Sequence, residues 1–286
     1  MSMTAHRLLC LGPHGFYRIA YTRRTPYRAG GPPVVCVHGL TRNGHDFDVL
    51  AERLAEQRLV VVPDMPGRGR SDFLPVKTDY GYSLYLSAVA ALIGSLEAET
   101  IDYVGTSMGG IIGMMLACQP NSPIRRLVLN DVGPLIPKAA LERIGTYVGQ
   151  GEEFDDLDAV EAYFRRVAAP FGQLSDAQWR HMAEHGHRRL DTGKLALAYD
   201  PGIGEPFRGE QADVDLWSFY DQIRCPTLVI RGAQSDLLPA ETAAEMTRRG
   251  PRAALFEVAE AGHAPALMAE DQVAAIERFL AEGAAP

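Results

Sequence analysis

The chain has 286 residues, of which 47% are hydrophobic and 22% charged, and its formal net charge is -8. This ordinary globular composition excludes a disordered, collagen-like or coiled-coil chain. Because 36 acidic residues outnumber 28 lysines and arginines and no basic run stands out, we expect no nucleic-acid partner.

The cysteines and the apolar runs indicate the cellular compartment of the protein. Cys10, Cys36, Cys118 and Cys225 are scattered, without Cys-x-x-Cys spacing, so we predict free thiols in a reducing environment. No apolar run approaches the roughly 18 residues of a membrane span, and the first residues do not resemble a signal peptide. The sequence therefore predicts a cytoplasmic protein without a membrane partner.

The predicted elements begin with a hairpin and continue as alternating strands and helices. Apolar and polar residues alternate over 7–11 and 16–22, on either side of a Gly-Pro-His-Gly turn. Continuous apolar runs typical of buried strands follow at 34–38, 59–62, 101–104, 127–129, 227–230 and 254–258. Helical patterns lie between them at 83–97, 111–118 and 239–249. This order predicts an α/β fold, a mostly parallel sheet with helices on both faces and the hairpin as an antiparallel edge.

The segment 134–217 interrupts the alternation. It has no strand-like run but has helical patterns at 138–148, 157–167 and 175–185, the last with a capping box of Ser175 and Gln178. We predict an α/β core of residues 1–133 and 218–286 and a helical cap of residues 134–217. Aromatic residues of this region are candidates, in part, to line a substrate pocket: Tyr147, Phe154, Tyr163, Phe164, Phe171, Trp179 and Trp217.

The sharpest local motif is Gly-Thr-Ser-Met-Gly-Gly at 105–110, between a predicted strand and a predicted helix. It matches the Gly-x-Ser-x-Gly pattern of a nucleophile elbow. A serine on such a sharp turn needs small neighbours, which Gly105 and Gly109 supply, and the helix that follows directs its amide-rich N-terminus at the site. We therefore predict Ser107 as a nucleophile.

A serine nucleophile needs a base, and the base needs an orienting acid. His263 follows the last predicted strand in Ala-Gly-His-Ala-Pro and is the predicted base. Asp236 follows another strand and completes the chain order serine, acid, histidine, so it is the first choice of acid. Asp131, directly after the strand at 127–130, is the alternative, and its other interpretation is a cap of backbone amides.

Acyl transfer also requires donors for the oxyanion. The amide of Met108, next to the nucleophile, is one candidate. The amide of Leu40 is the other, because Gly39 lets the loop after the strand at 34–38 turn toward the serine. We interpret His38 as a structural residue that bonds the loop backbone.

No cofactor motif stands out in the sequence. The Gly-x-Gly segments at 67–69 and 202–204 are too short for a dinucleotide site, and there is no phosphate loop. His181, His185 and His187 lie near Glu184, but no further residue with ligand spacing completes a set, so we predict a solvated face and no metal.

Together these motifs resemble the α/β-hydrolase superfamily over nearly the whole chain. They comprise the hairpin, the His38-Gly39 loop, the segment from Asp64 to Asp72, the elbow, the cap insertion, the loop from Gly232 to Asp236, and Gly262-His263. The resemblance implies a central sheet of about eight strands and a serine triad. It fits esterase, enol-lactonase, carbon–carbon bond hydrolase and cofactor-free haloperoxidase branches alike. A serine in the elbow argues against the aspartate-dependent haloalkane dehalogenases and epoxide hydrolases.

We therefore predict a serine hydrolase that cleaves an ester-type bond of a small molecule through an acyl-enzyme, without a metal or organic cofactor, as a monomer or homodimer. The same triad could instead open an enol-lactone or cleave a carbon–carbon bond. Two other classes remain open at this point, a ligand-binding receptor with little turnover and a structural interaction protein.

Overall fold

The computed structural model describes residues 2–26 and 30–282. Its strands are β1 (Ser2–Gly12), β2 (Gly15–Thr25), β3 (Val34–Val37), β4 (Val60–Pro63), β5 (Ile101–Thr106), β6 (Ile124–Asn130), β7 (Leu135–Ile136), β8 (Glu153–Phe154), β9 (His187–Arg189), β10 (Leu195–Leu197), β11 (Val214–Asp215), β12 (Thr227–Gly232) and β13 (Ala254–Val258). Its α-helices are α1 (Asp48–Leu54), α2 (Tyr82–Gly94), α3 (Met108–Ala117), α4 (Lys138–Gly145), α5 (Leu157–Val167), α6 (Asp176–His185), α7 (Trp217–Tyr220), α8 (Ala240–Met246) and α9 (Glu270–Ala281).

Eight strands form one sheet in the order β1-β2-β4-β3-β5-β6-β12-β13. The pairs β1–β2 and β2–β4 are antiparallel, and the other neighbours are parallel. The predicted α/β architecture, with the hairpin at the antiparallel edge, is therefore confirmed. Because the carboxyl ends of the parallel strands meet at one edge, the loops after β3, β5, β6 and β13 lie close together there.

Both faces of the sheet are buried, which explains the continuous apolar runs. Along β3, Val35 and Val37 join one hydrophobic cluster with residues of α2, α3 and α8. Val34 and Cys36 point the other way and join a second cluster with residues of α1 and α9. Alternate residues of one strand thus pack into two separate hydrophobic cores, as expected for a sheet covered by helices on both sides.

The segment between β6 and β12 carries α4, α5 and α6, as the helical patterns predict. Helix α6 begins with the predicted capping box, in which the Ser175 side chain accepts from the Gln178 amide and the Gln178 side chain accepts from the Ser175 amide. The segment is not purely helical. It also contains a three-stranded sheet of β8, β10 and β9, and β7 pairs with β11 where the chain leaves and rejoins the core. These strands have two or three residues each, too short to produce a sequence period.

All four cysteines are free thiols, as the sequence predicts, and two of them are buried and two partly buried. Among the helices in the described ranges, none has both the length and the apolar character that crossing a bilayer demands.

Candidate active site

Ser107 lies on a strained turn between β5 and α3. Its φ is +51°, in the left-handed region that side chains other than glycine rarely adopt. The surrounding backbone leaves no room for side chains. A Cβ on Gly105 would lie 2.4 Å from the carbonyl oxygen of Gly109, and one on Gly109 would lie 2.0 Å from that of Val37. The glycines of the motif are therefore required by close backbone packing that holds the serine in place.

Ser107, His263 and Asp131 form a continuous chain of hydrogen bonds. The Nε2 atom of His263 lies 2.9 Å from Oγ of Ser107, and its Nδ1 atom lies 2.8 Å from Oδ2 of Asp131. The three residues come from the loops after β5, β13 and β6. This arrangement allows the imidazole to take a proton from the serine while the carboxylate stabilises the resulting cation.

The structure does not place Asp236 next to His263. The expectation that Asp236 orients the imidazole therefore disagrees with the observed geometry. The Asp236 carboxylate accepts from Nε and Nη2 of Arg143 on α4, at 2.5 and 3.0 Å, and its side chain is 46% exposed. The loop after β12 turns so that the preceding residue, Ser235, faces inward instead. The chain order serine, acid, histidine holds for Asp131 as well, which is why order alone could not separate the two acids.

Asp131 is fully buried, and both oxygens of its carboxylate accept hydrogen bonds. Oδ1 accepts from the Gly232 amide at 2.7 Å, and Oδ2 accepts from the Ser235 hydroxyl at 2.6 Å in addition to facing His263. Such bonds compensate for the burial of a carboxylate and fix its orientation. Sequence reasoning missed Ser235, and its position beside Asp236 gave no signal of this contact.

The two predicted oxyanion donors lie beside the serine. Met108 is the first residue of α3, so its amide has no acceptor within the helix. A Cβ on Gly39 would lie 3.7 Å from Cβ of Ser107, which places the loop that contains the Leu40 amide against the nucleophile.

Two buried side chains hold this loop. The Nδ1 atom of His38 bonds the Gly39 carbonyl at 2.7 Å, and Nε2 accepts from the Met65 amide at 2.9 Å, so the proton lies on Nδ1. Because the two groups of a trans peptide point in opposite directions, fixing the Gly39 carbonyl also directs the Leu40 amide. Arg68 donates to the Leu40 carbonyl at 2.8 Å. Burial lowers the pKa of His38 to about 4, so the imidazole is neutral at pH 7. These contacts agree with the structural role predicted for His38.

A cleft with an empty volume of about 1010 Å³, its open mouth included, lies above Ser107 and His263. Of the aromatic residues proposed for its lining, Tyr147, Tyr163, Phe164 and Phe171 contribute to it. The other three pack elsewhere. Phe154 forms an edge-to-face pair with Tyr163. The guanidinium of Arg165 stacks over the Trp179 ring, and that of Arg249 stacks over the Trp217 ring.

The cleft also contains two arginines that the sequence patterns did not identify. Arg143 lines it from α4, where Nε and Nη2 are bonded to Asp236. Arg42 lines it from the core side, where Nε and Nη2 donate to Asp46 and the guanidinium lies 4.5 Å from the centre of the Phe164 ring. A single arginine in an amphipathic helix such as α4 is not distinguishable in sequence from a solvent-facing one.

An eight-stranded, mostly parallel sheet with a strained serine at the turn after β5 defines the α/β-hydrolase class of proteins. The family model described as "alpha/beta hydrolase fold" matches residues 32–268. The chain therefore belongs to the alpha/beta hydrolase family, as the sequence motifs predicted, and the protein is an enzyme of the hydrolase class.

Individual relatives agree with this assignment over nearly the full chain. A 3-hydroxybutyrate-oligomer hydrolase of Cupriavidus necator is 42% identical over 289 aligned positions, which cover 94% of this chain and 95% of that protein. A 2-(acetamidomethylene)succinate hydrolase of Mesorhizobium japonicum is 30% identical, covering 82% of this chain and 83% of that protein. The crystal structure of an alpha/beta hydrolase from Novosphingobium aromaticivorans is 35% identical with a TM-score of 0.86, and 97% and 98% of the two chains are covered.

Proposed function

We propose that the protein hydrolyses the ester bonds within short hydroxyacid oligomers, of the 3-hydroxybutyrate type, and that Ser107, His263 and Asp131 are its catalytic residues. The observation that carries the proposal is the hydrogen-bonded chain of these three side chains at the base of a cleft that contains Arg143. The relative at 42% identity supports the substrate class, because its name describes the hydrolysis of such oligomers.

The reaction begins with attack of the Ser107 Oγ on the acyl carbon of the ester. His263 takes the hydroxyl proton through Nε2, and Asp131 stabilises the imidazolium through Nδ1. The Leu40 and Met108 amides bind the oxyanion of the tetrahedral intermediate. His263 then protonates the leaving alkoxide, which departs as an alcohol.

Water completes the cycle. His263 removes a proton from a water molecule as the water attacks the acyl-enzyme, and returns that proton to Ser107 when the carboxylic acid is released. All of these steps use side chains and amides of this chain, so the mechanism requires no metal or organic cofactor.

The lining of the cleft suits a short acyl chain with polar ends. Leu40, Ile144, Val167 and Phe171 provide apolar contacts for methyl and methylene groups, while the tyrosine hydroxyls and Arg143 provide donors. Hydroxybutyrate oligomers end in a carboxylate, and the second relative's name describes a succinate, which is a dicarboxylate. We propose that Arg143 binds the substrate carboxylate from the segment 134–217, which acts as a cap over the cleft.

This substrate assignment is tested with the trimer of 3-hydroxybutyrate and its methyl ester, with release of the monomer as the readout. We expect the free acid to have the lower KM. Replacing Arg143 with methionine should raise the KM of the acid about 10–100-fold, since a hydrogen bond to a charged group contributes about 1.5–3 kcal/mol, and should leave that of the methyl ester nearly unchanged.

A matched control separates binding of the substrate from loss of the Arg143–Asp236 ion pair. Asp236→Asn removes the partner carboxylate but leaves Arg143 in place. It should therefore retain the preference for the free acid. Equal KM values of wild type and Arg143→Met for the acid would contradict the assigned role of Arg143.

The same triad is compatible with an enol-lactone or a carbon–carbon bond as the scissile group. A panel of the 3-hydroxybutyrate trimer, p-nitrophenyl esters, an enol-lactone, a β-diketone and a dienoate decides among them. We expect kcat/KM to be highest for hydroxybutyrate esters. Turnover of the β-diketone or dienoate with a higher kcat/KM would assign the protein to the carbon–carbon hydrolases.

The four free cysteines favour the cytoplasm as the place where the enzyme acts.

A further inference from the structure

A cluster of three histidines and one aspartate lies where the insertion contacts the core. His45 and Asp48 belong to the segment that follows the Gly39 loop, and His181 and His185 lie one turn apart on α6. We call these four residues the histidine cluster. The i, i+4 spacing places His181 and His185 on one face of a helix, and the sequence analysis predicted a solvated face without a metal there. The other members of the cluster could not be recognised from sequence, because His45 precedes His181 by 136 positions.

The nitrogen and oxygen atoms of the cluster converge on a small space. Nδ1 of His45 lies 2.8 Å from Oδ2 of Asp48, and Nε2 of His181 lies 3.2 Å from the same oxygen. One donor atom each from His45, Asp48 and His185 falls within 4.8 Å of the other two. With metal–ligand distances of about 2.0–2.1 Å, donor atoms around a tetrahedral Zn²⁺ are roughly 3.3 Å apart. The coordination geometry therefore requires side-chain rotations that tilt the stacked rings of His45 and His185 toward a common point.

The carboxylate of Asp48 is oriented for this role. Its Oδ1 atom accepts from Nη2 of Arg24, which leaves Oδ2 to face the imidazoles. Such a partner behind a ligand fixes the ligand's direction. The ring of His185 has no hydrogen-bond partner in the part of the chain that the structure describes, and it stacks on the His45 ring with centroids 3.9 Å apart. One nitrogen donor is thus available without breaking an existing bond.

The cluster is partly exposed, which provides an entry path for an ion. The side chains of His45, Asp48 and His181 are 26%, 22% and 32% exposed. Imidazole and carboxylate together suit Zn²⁺ and related divalent transition metals rather than the oxygen-binding Mg²⁺ or Ca²⁺. On binding, the ion replaces the protons that His45 and His181 share with Asp48.

We propose that the histidine cluster binds one divalent transition-metal ion, of the Zn²⁺ class, and thereby fastens α6 of the insertion to the core segment that follows the Gly39 loop. Asp46 and Phe47, between His45 and Asp48 in the chain, line the cleft. The ion would therefore hold one wall of the cleft against the insertion. This site does not include Ser107, His263 or Asp131, and it does not take part in the acyl transfer.

The test is calorimetric titration of ZnCl₂ into the tag-free, chelator-treated full chain, with Co²⁺ absorption as a second readout of four-coordinate nitrogen and oxygen ligands. We expect one ion per chain and a rise in the thermal midpoint on saturation. The variants His45→Asn and His185→Asn, on opposite sides of the interface, should each weaken binding about 100-fold or more.

Two further variants act as controls. His187→Gln removes a neighbouring histidine outside the cluster, whose ring bonds the Ala183 carbonyl. His263→Gln removes the imidazole of the proposed active site. Both should bind Zn²⁺ as the wild type does. The proposal is overturned if the wild type binds no stoichiometric ion, if binding survives in both cluster variants, or if His263→Gln abolishes it.

Discussion

The Nδ1 atom of His263 lies 2.8 Å from Oδ2 of Asp131, a buried carboxylate 132 positions earlier in the chain. Asp131 follows β6, whereas Asp236, the acid first expected from the sequence, follows β12 and pairs with Arg143. The two carboxylates therefore have different partners. Asp131 bonds the His263 imidazole, the base in the proposed mechanism, and Asp236 bonds an arginine at the wall of the cleft.

Asp131→Asn is expected to lower kcat for ester hydrolysis about 10⁴-fold. An amide cannot stabilise the imidazolium, and it favours the wrong histidine tautomer, which is the cause of a loss of that size when a triad acid is neutralised. Steady-state kinetics with a p-nitrophenyl ester measures the effect.

The matched control is Asp236→Asn, which neutralises the rival acid. Because its side chain is about half exposed and does not contact His263, kcat for the p-nitrophenyl ester should remain within about threefold of wild type. The opposite pattern, with Asp236→Asn the slower enzyme, would reject the assignment of Asp131.

The stability of the protein should depend on pH through His38. Burial lowers the pKa of His38 from 6.5 to about 4. Between these values the unfolded chain binds a proton that the folded chain does not, so the free energy of unfolding falls as pH decreases from 6.5 to 4. The loss attributable to His38 is about 3 kcal/mol at most.

Urea unfolding of wild type and His38→Gln at pH 7 and pH 4.5 isolates this contribution, since the carboxylates titrate in both proteins. We expect the variant to be less stable at pH 7 but to lose less stability on acidification. Parallel pH profiles of the two proteins would show that His38 is not the buried neutral base described here.

The close packing of the elbow predicts a large difference between two glycine-to-alanine substitutions. Gly109→Ala places a Cβ 2.0 Å from the Val37 carbonyl oxygen, and backbone must move to accommodate it. We expect a loss of about 3 kcal/mol or more in the free energy of unfolding, together with loss of activity.

Gly94→Ala provides the comparison, because a Cβ there meets no atom within 4 Å and the residue ends α2. It should be neutral or stabilise the protein by up to about 1 kcal/mol. Thermal denaturation measures both variants. Similar midpoints for the two would contradict the described contact between the elbow and β3.

Strong local patterns predicted the sheet, the helices and two of the three side chains that the structure joins in one chain of hydrogen bonds. The apolar runs marked strands with two buried faces, and the elbow marked Ser107, because backbone packing around Gly105 and Gly109 restricts those positions to glycine. Helix α3 begins at Met108, three residues before the apolar period becomes evident, because Gly109 and Gly110 have no side chains that could contribute to that period.

Features that depend on side-chain direction in loops could not be predicted. Ser235 and Asp236 are adjacent in the chain, but one faces Asp131 and the other faces Arg143. Likewise, the histidine cluster joins a helix of the insertion to a core segment more than 130 positions away. Only the tertiary packing of the two segments determines these contacts.

The most direct test of the account is the site of reaction with a fluorophosphonate, identified by mass spectrometry of the peptide adduct. We predict rapid, stoichiometric labelling of Ser107 in the wild type, no labelling in Ser107→Ala, and labelling slowed far more by Asp131→Asn than by Asp236→Asn. An unlabelled Ser107 in folded protein, or an adduct on another residue, would contradict the claim that Ser107 is the nucleophile.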